Sequence, residues 1–169
     1  WIFDFWAETP KAWFSSDGQY FRSLTAQNLL RMSSFCALHQ DNKIFLIGGW
    51  TNGKPTNQIL VSEDAIHWSD VPAKLFRFSS RLDPICRTWN AKTYVLGGRD
   101  LKTPFYDVWS TTDFIEWALE AHALALDPKP RELDLLPQEN GIVLLSESEI
   151  FQSLDGHDWI RTPHKERPV

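Results

Sequence analysis

The sequence predicts an all-β protein built from repeated units of four short strands, and three observations predict it. The first is one motif written four times: Trp13-Phe-Ser-Ser-Asp-Gly-Gln-Tyr-Phe21, Leu60-Val-Ser-Glu-Asp-Ala-Ile-His-Trp68, Trp109-Ser-Thr-Thr-Asp-Phe-Ile-Glu-Trp117 and Phe151-Gln-Ser-Leu-Asp-Gly-His-Asp-Trp159. Each copy carries a Ser or Thr, an Asp at a turn, and an aromatic residue four positions after that Asp. The aspartates Asp17, Asp64, Asp113 and Asp155 lie 47, 49 and 42 residues apart, a period that marks repeated supersecondary units. The second observation is a short apolar run closed by paired glycines, Lys43-Ile-Phe-Leu-Ile-Gly-Gly49 and Lys92-Thr-Tyr-Val-Leu-Gly-Gly98. The third is the length of the apolar segments, 4–8 residues between turn signals and rich in β-branched and aromatic residues, as strands require.

Taken in order, each unit reads as an inner strand, a glycine-terminated strand, a strand entering the Asp turn and a strand leaving it. In the second unit these are residues 33–39, 44–49, 58–62 and 67–71. The first unit has Ile2-Phe-Asp-Phe-Trp6 in the glycine-strand position and lacks an inner strand. The third unit begins its inner strand in residues 82–89. The fourth begins near residues 132–137 and has Gly141-Ile-Val-Leu-Leu-Ser146 as its second strand, without the glycine pair. Asp-Gly at Asp17-Gly18 and Asp155-Gly156 is a strong short hairpin signal. Only residues 118–126 show a helical pattern, and Pro128 and Pro130 close it. The approximate units are 1–30, 31–80, 81–130 and 131–169, within a single segment covering the chain.

Composition limits the function. With 169 residues and 43% hydrophobic content the chain can bury a core. A net charge of −5 disfavours nucleic acid, which needs a basic face. No apolar run is long enough to span a membrane. The start at Trp1, without an initiator Met, suggests a processed product or a piece of something longer. Cys36 and Cys86 occupy matching repeat positions, one unit apart. They are expected as buried free thiols, because neighbouring units are expected to hold such positions too far apart for a disulfide.

A glycine-pair strand followed by strand, Asp turn and Trp resembles the kelch repeat, and Tyr106-Asp-Val-Trp-Ser-Thr-Thr-Asp-Phe-Ile-Glu-Trp117 is its best match. The resemblance implies a β-propeller of four-stranded blades, like the central domain of galactose oxidase. About four blades are present, so it also implies that further blades, or an attached domain, complete a larger ring. Within it the repeated residues have structural readings. Asp17, Asp64, Asp113 and Asp155 fix tight turns by accepting backbone N–H groups. Phe21, Trp68, Trp117 and Trp159 bury rings between blades. Gly48, Gly49, Gly97 and Gly98 allow close approach or special backbone angles. The copper site of galactose oxidase needs Tyr, His and Cys in defined places that this sequence does not reproduce. His39, His67, His122, His157 and His164 have no metal-ligand spacing. No metal or cofactor is expected.

Arg31, Arg81 and Arg131 open successive inner strands at intervals of 50, with Arg167 as a possible fourth. In some kelch propellers such arginines face the channel mouth and grip acidic ligands, as the bidentate guanidinium suits. The alternative is that each fastens its neighbouring blade. Trp50, directly after a glycine pair, either stacks on a ligand or packs half-buried. Glu147, Glu149, Asp158 and Glu166 read as a solvated acidic stretch. The expected function is a non-enzymatic binding module for a protein, peptide or glycan. Two alternatives stand beside it: a structural segment of a larger surface protein, and a sialidase-type hydrolase. The Ser-x-Asp-Gly-x-x-Trp stretches resemble sialidase Asp-boxes, which accompany three arginines and a Tyr–Glu nucleophile. Asp-boxes normally place one residue between Asp and Gly, however, and no motif places Tyr20, Tyr94 or Tyr106.

Overall fold

The computed structural model describes residues 1–72, 74, 77–122, 124, 133–147 and 149–162. Among these there is no helix; eighteen strands form five antiparallel sheets. Strands β1 (Ile2–Asp4), β2 (Lys11–Phe14) and β3 (Arg22–Thr25) make the first sheet. The second unit contains β4 (Met32–Ser33), β5 (Cys36–Gln40), β6 (Lys43–Ile47), β7 (Trp50–Thr51), β8 (Lys54–Pro55), β9 (Ile59–Ser62) and β10 (Ser69–Asp70). Of these, β10-β9-β6-β5 form a four-stranded sheet and β4-β7-β8 a small three-stranded one. The third unit is β11 (Ile85–Trp89), β12 (Lys92–Leu96), β13 (Val108–Thr111) and β14 (Ala118–Ala121). The fourth is β15 (Leu133–Gln138), β16 (Gly141–Ser146), β17 (Ile150–Ser153) and β18 (Ile160–Thr162). In the helical-looking stretch, residues 118–121 are therefore β14, and the described His122 and Leu124 lie beyond it without regular structure. No helix is long and apolar enough to cross a membrane.

The alternation along each strand explains how the sheets assemble. In β6, Ile44 and Leu46 face one side and Phe45 and Ile47 the other, and all four are buried. A strand buried on both faces lies between two layers, not at a protein–water boundary. Three apolar layers result. Phe5, Ala12, Ile44, Leu46 and Trp68 join the first sheet to the second. Phe45, Ile47, Val95 and Phe114 join the second to the third. Tyr94, Leu96, Leu135, Ile142 and Leu144 join the third to the fourth.

The cysteines correct the sequence expectation: Cys36 and Cys86 form a disulfide, with Cα atoms 5.9 Å apart. The expectation assumed that equivalent positions stand a full sheet spacing apart. The first strands of the units converge instead, β5 lying against β11 and β11 against β15. Polar bonds follow the same edge. Gln40 Oε1 accepts from the hydroxyls of Thr88 and Thr93 at 3.1 and 2.9 Å, and Arg87 pairs with Asp134 at 2.9 Å. The Trp89 indole N–H donates to the Gln138 carbonyl at 2.9 Å.

Candidate functional site

The four Asp turns share one hydrogen-bond pattern. In each, the Ser or Thr two positions earlier donates its hydroxyl to the Asp Oδ1, at 2.9–3.2 Å. The same Oδ1 accepts the backbone N–H groups two and three residues on, at 2.8–3.0 Å. These donors favour the charged carboxylate, so all four aspartates titrate below the ordinary range, Asp155 at about 2. At Asp64 the largest contribution is the His67 imidazole, whose Nδ1 lies 2.7 Å from Oδ2. Each Asp is thus committed to holding its turn.

The residue after each Asp takes a left-handed conformation: Gly18 at φ 74°, Ala65 at 60°, Phe114 at 62° and Gly156 at 81°. In the three later units this residue is buried against the preceding sheet. Phe114 stacks on Phe45 with ring centroids 3.7 Å apart. Gly156 sits on the Tyr94 ring, where a Cβ would overlap the phenol. The closing aromatic packs into the same layer, and the indole N–H groups of Trp68 and Trp117 donate back to the carbonyls of Ala65 and Phe114. Trp159 packs half-buried in the third layer. Phe21, in the first unit, is 46% exposed.

At the opposite end of the strands the glycine pairs form a backbone crossing. Gly48, Gly49, Gly97 and Gly98 all have positive φ. A Cβ on Gly49 would strike the Ser33 carbonyl and Phe35; on Gly98 it would strike the Leu82 carbonyl and Pro84. The N–H of Gly49 donates to the Arg81 carbonyl at 2.8 Å, tying one unit to the next. Beyond each pair a loop emerges. One is the β7–β8 hairpin, which carries half-buried Trp50. The other occupies the equivalent place through the bridges Leu82–Arg99 and Arg99–Pro104, and leaves Leu101 exposed.

The arginines of the ladder occupy different environments. Arg81 is 0% exposed. Its guanidinium grips Asp107 with two bonds of 2.8 and 2.9 Å, donates to the carbonyls of Gly97 and Ser79, and lies over the Phe105 and Phe78 rings. Asp107 also accepts the Trp109 indole N–H at 2.7 Å. In the second unit Gln58 stands where the third has Asp107, on the register of β6–β9 and β12–β13. Arg31, facing no carboxylate there, stays half-exposed and pairs with Glu8 at 3.6 Å. Arg31 and Arg81 share no partner, and Arg131 lies outside the described residues, as do Arg167, His164 and Glu166.

One expectation about the acidic stretch is corrected: Glu149 is buried and pairs with Arg161 at 2.8 Å, while Glu147 and Asp158 are exposed. Sequence reading also missed a polar knot at Glu120, because its members come from three neighbouring strands, β12, β13 and β14, and from the fourth Asp turn. Burial acts to raise the Glu120 carboxyl. Bonds from Ser110, Lys92 and His157 outweigh it and hold the group low. Beside it, burial pushes the Tyr94 phenol up to about 12, which leaves the hydroxyl protonated and a poor nucleophile. Among the described residues no group of three or more His, Cys, Asp or Glu can hold a metal ion. Neither the protein-family models nor the curated proteins contain a match to this chain.

Proposed function

We propose that the chain is a non-enzymatic binding module, a segment of a kelch-type β-propeller whose loops after the glycine pairs meet a protein, peptide or glycan. The observation that carries this reading is the contrast between frame and loop. In the second and third units the glycines, crossing carbonyls and apolar layers repeat position by position. The loops they hold, residues 50–55 and 99–104, share a closing proline, Pro55 and Pro104, and differ at the other five positions. A rigid scaffold with divergent exposed loops is how binding surfaces are commonly built. Arg31 and Trp50 are the side chains best disposed to meet a ligand at this end, since Arg81 is fully engaged within the protein.

The test is a glycan and peptide array probed with the labelled chain and with Arg31→Ala and Trp50→Ala variants. The proposal expects a defined set of binders that both variants weaken while the fold is kept. Binding that survives both substitutions unchanged would remove this surface from the account. Turnover of a fluorogenic sialoside would overturn the non-enzymatic reading.

A further inference from the structure

The three internal layers follow one rule, and the two outermost faces of the stack each carry half of it. In every layer the preceding sheet offers alternate residues of its second and third strands. The following sheet offers the residue after its Asp and its closing aromatic. Phe45 thus meets Phe114, and Tyr94 meets Gly156. On the first sheet the corresponding pair is Gly18 and Phe21. A Cβ at Gly18 would meet nothing within 4 Å, and Phe21 is 46% exposed. On the fourth sheet the face turned away from the third carries two register rows, Asp134–Leu145–Ile150–Thr162 and Leu136–Val143–Gln152–Ile160. Five of these eight side chains are aliphatic, with polar residues towards both edges, and Ile160 is 70% exposed. Val143 stands at the position of Phe45 and Tyr94. Among the described residues no apolar layer covers either face.

We propose that a second copy of the chain supplies both missing halves. The fourth sheet of each copy packs on the first sheet of the other, giving a two-copy ring with two identical joints. This inference rests on the propeller reading above. A head-to-tail contact closes only when its rotation allows, and two copies bring eight stacked sheets, the small β4-β7-β8 sheet of each set aside, within the range of about four to eight blades seen in propellers. The occupant is a second copy because each outer face continues the joint already used three times inside the chain, and each supplies what the other lacks.

Light scattering coupled to gel filtration tests this on the 169-residue chain and on Phe21→Asp, Ile150→Asp and Leu101→Asp. The wild type is expected at twice 19.6 kDa, as is Leu101→Asp, whose substitution lies on a loop away from both faces. Phe21→Asp and Ile150→Asp each spoil one face and should run as monomers. An equimolar mixture of those two variants keeps one intact joint and should recover a dimer, which neither misfolding nor a symmetric patch would produce. A monomeric wild type at about 50 μM, a ladder of larger oligomers, or no dimer in the mixture overturns the proposal. The disulfide state of the same samples separates the two readings. A monomer that retains Cys36–Cys86 loses only the ring, whereas a chain without that bond loses the stacked units as well.

Discussion

The residue after the turn Asp is where one position changes its meaning from unit to unit. Gly18 and Gly156 share a left-handed conformation, yet a methyl at Gly18 points into open space and one at Gly156 enters the Tyr94 ring. Gly18→Ala should therefore cost only the backbone penalty, about 1 kcal/mol. Gly156→Ala should cost about 3 kcal/mol or more, since the buried Tyr94 must shift. Thermal or urea denaturation compares the two, and equal losses would mean that Gly156 does not contact Tyr94. The aspartates give a pH signature. Their carboxyls titrate lower in the folded chain than in the unfolded one, so the unfolded state binds more protons as the pH drops. The stability they contribute is complete above about pH 5 and is lost towards pH 2. Asp113→Ala should flatten part of this slope and cost about 1 kcal/mol at neutral pH, a low figure for such bonds because the carboxylate is exposed. Stability measured from pH 7 to 2.5 checks both.

Elements show which parts of the sequence were legible. The strands were readable because their signals are local: short apolar runs between turn residues, a turn Asp and a glycine pair. The arginine repeat was equally visible, but position alone does not decide an environment. Arg81 is buried because Asp107 faces it, and Arg31 is exposed because Gln58 stands in that place. Spacing could not reveal the partner, which enters from the residue just before β13, on the far side of β12. The same holds for Glu120, whose partners come from β12, β13 and the fourth Asp turn. The buried pair makes a firm prediction. Asp107→Ala leaves the Arg81 guanidinium enclosed and unpaired, and should destabilise the chain by about 3–5 kcal/mol. Replacing both residues together, as Arg81→Met with Asp107→Leu, should cost much less. Chemical denaturation of the single and double variants separates an ion pair that is needed from one that is merely present.

For the whole molecule, the repeat period announced stacked units but not how they converge. Cys36 and Cys86 depart from the free-thiol expectation because the spacing between sheet faces does not apply to the first strands, which meet edge by edge. Equivalent positions there come within disulfide reach. Closing a loop between residues 50 apart should contribute about 4 kcal/mol, so a reductant should lower the melting temperature markedly. The same bond gives the most direct test of the stacked architecture: peptide mapping of the oxidised chain by mass spectrometry without reduction. The account predicts a cross-linked peptide pair containing Cys36 and Cys86 and no alkylatable thiol. Two freely alkylated cysteines in the oxidised, folded chain would contradict the side-by-side placement of the first strands on which the whole stack depends.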